Sequence, residues 1–421
     1  MYLLRWILHR RLRKGSELLG IVRKHYHHQR DVLPEKNVAE LRHGMEIYEA
    51  KLRDPSVSAE ALKTASTEFE DLAHRWLKHY PFASYRDNFE SFLGTAVLVF
   101  AFKTFFATPM EIPTGSAQPT YYGITSDDLR DRPEVKIPKG PQAWWERWIK
   151  GTTYYEVIAQ EDGSLRGVSE PRKQLALGRI GFGKQVDVIV GSRAYKVAWA
   201  PESAARHLCL VDDAARGPVK TSFKQGEPIV RCRVRSGDRL FVERFTYNFR
   251  RPRRGEYFVF QSTGMPAPVA QGTHYIKRLI AMEGERVRIG DDRHVYVNDR
   301  ALGTNDPGFE KIYAFDPSQP PADSVYSGHV NGVVYRDALI AQARLRNGAI
   351  TPAMAESHAR NVVPYFYDER ATFVVGTNRY LGFGDNTMNS SDGRQWGDVP
   401  REKVIGKSWF VMWPFTERWG W

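Results

Sequence analysis

The chain has 421 residues, enough for more than one packed unit, and a formal net charge of +12 with a pI near 9.5. Such a cation excess implies an anionic partner, for which membrane lipid headgroups fit better than nucleic acid, and a mean hydropathy of −0.49 excludes a multi-span transporter. Cys209 and Cys232 are the two cysteines and lack C-x-x-C spacing, which argues against a metal or dithiol redox site and leaves a disulfide or two free thiols.

In chain order, Leu3, Leu4, Ile7, Leu8 and Leu12 stand at helical spacing between arginines and predict an amphipathic helix on an anionic inner leaflet. His25, His27 and His28 have no fourth convergent ligand, so they read as a solvated basic arm and no metal site is expected. Two amphipathic helices come next. One carries Val38, Leu41, Met45 and Leu52, the other Leu62, Ala65, Phe69, Leu72 and Trp76, with a break at Asp54-Pro55, so a small cytoplasmic helical hairpin is expected.

Residues 92–108 are apolar apart from Lys103 and the threonines, a length at the short end of the roughly 17–25 residues that span a bilayer. With Lys103 snorkelling at the outer end, the stretch predicts one transmembrane helix that is retained as an anchor. Residues 1–30 hold eight Lys or Arg against Glu17 alone, which keeps that end in the cytoplasm and puts the chain after Thr108 outside. Beyond it come short β-rich runs at 154–159, 186–190, 195–199, 240–245, 257–260, 275–280, 295–297 and 373–375, split by Gly, Pro and Asp, with a helix at 337–346. The expected fold is therefore a mainly β catalytic domain of antiparallel sheets, with one N-proximal transmembrane helix and a small α-helical cytoplasmic region. The expected boundaries are 1–90 cytoplasmic, 91–108 transmembrane and 109–421 extracytoplasmic.

Two residues in this frame carry chemistry. Ser116 is flanked by the turn formers Pro113, Gly115 and Pro119, which would display its hydroxyl on a tight bend beside backbone N–H groups, as acyl transfer requires. Lys277 lies in a strand-like run between Tyr275 and Leu279, where burial could lower an ammonium pKa from about 10.4 far enough to make a general base; an edge-strand lysine is the plain alternative. At about 3.3 Å per residue, the short link from residue 108 would hold Ser116 close to the membrane surface.

The block Glu111-Ile112-Pro113-Thr114-Gly115-Ser116-Ala117-Gln118-Pro119-Thr120 resembles the serine box of bacterial type I signal peptidases. Four more blocks stand in the family's order. Gly237-Asp238-Arg239-Leu240-Phe241-Val242 and Arg254-Gly255-Glu256-Tyr257-Phe258-Val259-Phe260 are similar to its next strands. Tyr275-Ile276-Lys277-Arg278 with Glu283-Gly284-Glu285-Arg286-Val287 is similar to its lysine box, and Gly384-Asp385-Asn386, Asn389-Ser390-Ser391-Asp392 and Arg394-Gln395-Trp396-Gly397 to its last box. The resemblance leaves out the first ninety residues and two insertions at about 121–235 and 302–370.

The resemblance implies a Ser/Lys-dyad endopeptidase that removes signal peptides from exported preproteins after small residues at −1 and −3. Ser116 would be the nucleophile and Lys277 the general base. Thr114 and the Ser116 N–H would be the oxyanion donors, Ser390 would orient the lysine, and Asp392 with Arg394 would support it. Met110, Ile112, Ala117, Tyr275 and Ile276 would contact substrate. It implies no cofactor, a bacterial inner-membrane location, and signal-peptide-bearing preproteins as partners, with the export translocon a candidate and nucleic acid excluded. Two departures stand out: Ala117 where the family usually has methionine, and Gly393 where it has serine. The competing readings are an anchored β domain with a vestigial peptidase, used for binding or assembly, and a specialised Ser/Lys processing peptidase.

Overall fold

The chain divides into two compact units, 1–98 and 99–421. The computed structural model describes residues 10–78, 82–173, 184–211, 219–314, 328–345 and 350–420. In the first unit, helices α1 (Arg10–Gln29), α2 (Glu35–Arg53) and α3 (Ala59–Trp76) each turn one apolar stripe inward. Leu19, Val22 and Tyr26 of α1 meet Leu41, Met45, Tyr48 and Leu52 of α2 and Ala65 and Phe69 of α3, with the Tyr48 and Phe69 rings stacked at 4.4 Å. Helix α2 stops before Pro55, and Ser58 restarts the chain by accepting the Ala61 N–H at 3.1 Å. The expected hairpin therefore has a third member. Leu12, assigned from the sequence to a lipid-facing helix, is buried in this bundle, while Leu3, Leu4, Ile7 and Leu8 lie outside the described residues.

The expected membrane span is overturned. Residues 83–105 do form a helix, α4 (Ala83–Phe105), but no helix among the described residues is long and apolar enough to cross a membrane. The reason is local: Glu90 and Lys103 bracket the apolar run, and the uncharged stretch 91–102 is only about 18 Å long at 1.5 Å per residue, against about 30 Å of hydrocarbon. The rest of the expected span is not helical, because Ala107–Glu111 is a strand.

The second unit is built on a seven-stranded antiparallel sheet. Its strands are β1 (Ala107–Glu111), β2 (Arg239–Glu243), β3 (Tyr257–Gln261), β4 (His274–Met282), β5 (Arg379–Phe383), β6 (Val399–Pro400) and β7 (Val404–Trp413). Their order is β1-β2-β7-β3-β4-β5-β6. Strand β4 is central: its first half pairs with β3, putting Ile276 opposite Val259, and its second half also pairs with β5, from Arg278 opposite Phe383. This is why apolar residues flank Lys277 and Arg278 on both sides along 275–281, since both faces of the strand are covered.

A four-stranded sheet (286–289, 295–297, 300–301 and 373–374) continues from β4 and packs with helices Gly332–Leu345 and Pro352–Val362 around Val287, Ile289, Val297, Ala359 and Phe366. Residues 121–235 contribute two further small sheets. There Val186, Val188 and Val190 alternate inward with period two, toward Ile229, Val230 and Cys232. Cys209 and Cys232 are buried in that core and are not joined in a disulfide.

Candidate active site

Strand β1 hydrogen-bonds to β2 as far as Glu111, after which the chain leaves the sheet and makes a single 3-10 turn, Gly115–Ala117. Ser116 occupies the middle of that turn. Its position is fixed from the segment after β5: the Asn386 N–H donates to Ser116 O at 3.1 Å, and the Asn386 side-chain amide donates to Gly115 O at 3.0 Å. Tyr257 OH, from β3, donates to Ala117 O at 3.2 Å. A glycine is required at 384, because a Cβ there would lie 2.2 Å from Ser390 Oγ and 2.6 Å from Ser116 O.

Lys277, 2% exposed, points from β4 into this crossing. Its Nζ donates to Ser116 Oγ at 3.2 Å and to Ser390 Oγ at 3.1 Å. Burial pushes its pKa down to about 8; nearby Asp392 opposes that shift and Arg394 adds to it. A hydroxyl beside an amine that loses its proton as pH rises through about 8 has a proton acceptor within reach. Thr114 Oγ1 lies 3.5 Å from Ser116 Oγ, on the exposed side of the turn.

Behind Ser390, Asp392 and Arg394 form a fully buried pair, with Nε to Oδ1 at 2.9 Å and Nη2 to Oδ2 at 3.0 Å. Arg394 also donates to Thr387 Oγ1 and Thr387 O, both at 2.7 Å, and Asp392 accepts the Gly384 N–H at 2.9 Å. Burial alone would raise the Asp392 pKa, but Arg394, with Lys277 and the Gly384 N–H, holds the carboxyl below its ordinary value. Gly393, where a serine was expected, is buried and tight: a Cβ there would meet Gly382 O at 2.8 Å.

A cavity of about 640 Å³ opens beside Ser116 and Lys277. Met110, Ile112, Leu240, Val242, Val259 and Ile276 form its apolar lining, joined by Thr114, Tyr275 and His274. Of the residues expected to contact substrate, Met110, Ile112, Tyr275 and Ile276 line this groove. Ala117 is fully buried and is not among the residues that line it. The Ser116 turn buries residue 117, whose own carbonyl accepts from Tyr257 OH.

Sequence reasoning missed a second buried pair. Arg278 meets Asp385 in a two-point contact, Nε to Oδ1 at 2.8 Å and Nη2 to Oδ2 at 2.6 Å. Thr120 bridges it, donating to Asp385 Oδ2 at 2.6 Å and accepting from Arg278 Nη2 at 2.9 Å. A second cation beside Lys277 suggests an edge strand, and the signal against that is strand periodicity. Arg278 must face the side opposite Lys277, and in a strand apolar on both faces that side is buried too.

Residues 230–413 match the family model described as "Signal peptidase, peptidase S26". The match takes in Lys277, Ser390, Asp392 and Arg394 and stops short of Ser116. The chain is 28% identical over 179 residues to "Probable signal peptidase I-2" of a Synechocystis species, covering 42% of this chain and 56% of that protein. It is 29% identical over 191 residues to the signal peptidase I of Aquifex aeolicus, covering 42% and 68%. This chain thus spans little more than half the length of the Synechocystis relative. A solved signal peptidase I from Enterococcus faecalis aligns at 18% identity over 38% of this chain and 97% of its own, with a TM-score of 0.20, too low to carry a backbone comparison. The resemblance to type I signal peptidases therefore holds for residues 230–413.

Proposed function

We propose that this chain is a serine endopeptidase that removes N-terminal signal peptides from preproteins, with Ser116 as nucleophile and Lys277 as general base. The observation that carries this reading is the 3.2 Å approach of a buried, pKa-lowered Lys277 to Ser116 Oγ. It joins a serine outside the family match to a lysine inside it. Neutral Lys277 takes the Ser116 proton as Oγ bonds to the scissile carbonyl carbon. The carbonyl oxygen becomes an oxyanion that the Ser116 N–H and Thr114 hydroxyl receive. Collapse of that intermediate breaks the C–N bond, and Lys277 passes its proton to the leaving amine. Water, deprotonated by Lys277, then hydrolyses the acyl-Ser116 ester. Ser390 keeps the amine aimed at Ser116, and the Asp392–Arg394 pair keeps Ser390 in place.

The groove supports an extended peptide substrate. Residues 274–277 of β4 pair with β3 on one side, while among the described residues no strand pairs with them on the other, where β5 contacts begin only at Arg278. A peptide laid along that edge can exchange main-chain hydrogen bonds and turn alternate side chains toward Met110, Ile112 and Ile276. That alternation fits a requirement for small residues at −1 and −3.

The test is incubation of the purified chain with a panel of preproteins and mass spectrometry of the new N-termini. Cleavage after a small residue, lost in Ser116→Ala and in Lys277→Ala, is the expected result. Unchanged turnover in either variant overturns the dyad, and an intact panel with no acyl-enzyme at Ser116 favours the reading as a vestigial peptidase with a binding role.

A further inference from the structure

The backbone that enters the Ser116 turn and the backbone that leaves it are both fastened to one residue outside the groove. Asp238, 1% exposed, accepts the Ile112 N–H on its carbonyl at 2.9 Å and donates its own N–H to Tyr122 O at 2.8 Å. Its carboxylate Oδ2 accepts the Tyr122 N–H at 2.7 Å. Gly237 permits this closeness, since a Cβ there would stand 1.8 Å from Ile112 O. Ile112 is four residues before Ser116 and Tyr122 six after, so the turn is held at both ends by a single side chain and its own peptide.

The other carboxylate oxygen faces a cation brought from far along the chain. After β7 the backbone folds back: Val411 N–H donates to Gly420 O at 2.8 Å, Gly420 N–H donates to Val411 O at 3.1 Å, and Trp419 packs edge-on against Phe410 with centroids 5.3 Å apart. Because β7 pairs with β2, that fold-back delivers Arg418 to the start of β2, where Asp238 sits. Arg418 Nη1 lies 3.0 Å from Asp238 Oδ1, an ionic contact without the alignment of a hydrogen bond, and the guanidinium lies 5.1 Å from the Tyr122 ring centroid. Burial raises the Asp238 pKa, the Tyr122 N–H and Arg418 oppose that rise, and neighbouring Glu417 adds to it. Without Arg418 the carboxylate would be a buried charge with no cation beside it, which is the costly arrangement.

We propose that Arg418 is a positioning residue for Ser116, acting through Asp238: by neutralising the buried carboxylate it keeps Asp238 bridging Ile112 and Tyr122, and so holds the serine turn at the depth Lys277 requires. This rests on the reading of Ser116 and Lys277 as a catalytic dyad. Displacement of a nucleophile by about 1 Å costs on the order of a hundredfold in rate. The segment from Met110 to Ser116 supplies part of the groove lining and strands β2, β3 and β4 much of the rest, so the loss falls on kcat first, with a smaller effect on KM.

The experiment measures preprotein cleavage together with the rate at which a small serine-reactive fluorophosphonate labels Ser116, a reagent that does not need the groove. Arg418→Met is expected to lower kcat roughly tenfold or more with KM little changed, to slow labelling in parallel, and to be largely rescued by Arg418→Lys. In an Asp238→Asn background, which has no buried charge to neutralise, Arg418→Met is expected to cost nothing further. Equal losses in both backgrounds, or unchanged labelling in Arg418→Met, overturn the inference. Should Arg418→Met fail to fold, the Asp238→Asn protein with and without Arg418→Met decides: equal rates support the inference and a further loss overturns it. A wild-type chain that neither cleaves a preprotein nor labels at Ser116 overturns the peptidase reading and this inference with it, whereas equal kcat or equal labelling in wild type and Arg418→Met removes this inference alone.

Discussion

The two faces of β4 bury adjacent cations in opposite ways. On one face Lys277 meets two hydroxyls, Ser116 and Ser390, and among the described residues no carboxylate comes within ion-pair distance. On the other face Arg278 is gripped by Asp385, donates to Gly255 O at 2.7 Å, and lies between the Tyr257 and Phe309 rings at 4.4 and 5.6 Å. Both residues are almost wholly removed from solvent. Burial works against the charge of each, yet the pKa of Lys277 falls while that of Arg278 rises, because the Asp385 carboxylate overrides desolvation on its side alone. The partner, not the depth, decides whether a buried base can give up its proton. Hydroxyls leave that freedom and a carboxylate removes it.

The largest expected effect breaks the Lys277 side. Lys277→Met should lower peptidase turnover by at least about a thousandfold, measured as new N-termini per unit time, because among the described residues no other base reaches Ser116. In the wild type, turnover should climb as pH rises through about 8, as Lys277 loses its proton. Breaking the other side gives a loss of stability instead. Arg278→Met leaves Asp385 buried without its cation, and a cost of about 3–5 kcal/mol in urea unfolding is expected.

The comparison sharpens further with stability data on Lys277→Met. Its folded pKa of about 8 lies below the ordinary 10.5, so between those values the unfolded chain holds more protons and wild-type stability rises with pH. Below about pH 8 the full cost of the buried ammonium applies, and the methionine variant should be more stable than wild type by about 3 kcal/mol at pH 7. A gain near zero would mean that water solvates the amine. Next in size, Thr114→Val should lower kcat by about a hundredfold with KM little changed, the loss associated with one oxyanion donor. The smallest effect concerns Ala117. Being fully buried outside the groove, Ala117→Met should overpack the core by about 1–3 kcal/mol and leave the −1 preference untouched. A narrowed −1 range at unchanged stability would return that residue to the substrate site.

How much of this was legible depended on whether the signal was local. Ser116, Lys277, Ser390, Asp392 and Arg394 could be picked out because each lies in a short block that resembles a box of the type I signal peptidases, and the structure brings them close together. The strand runs were visible through β-branched and aromatic clustering bounded by Gly, Pro and Asp. The membrane reading of 92–108 failed because Lys103 was taken to snorkel at the outer end, although Glu90 and Lys103 leave only residues 91–102 uncharged between them, and because β1 claims residues 107–111 as a partner for β2, a non-local pairing that no window shows. The lipid-facing reading of Leu12 failed for a related reason, since an apolar helical stripe looks the same whether it meets lipid or another helix. Arg278–Asp385 and Asp238–Arg418 join residues more than a hundred positions apart, so composition and spacing could not reveal them.

Ser116 and Lys277 are 161 residues apart, and the serine turn is locked by contacts from Asp238, Tyr257 and Asn386. In a chain still emerging from the ribosome, the hydroxyl is synthesised long before the amine that must activate it; Asp238 and Tyr257, which help to seat it, also follow it, and Asn386 comes after the amine as well. Pairings this distant form late and slowly. On the peptidase reading, the nascent protein is therefore hydrolytically silent without any inhibitory segment, and the first cleavage doubles as a report that its central sheet has closed.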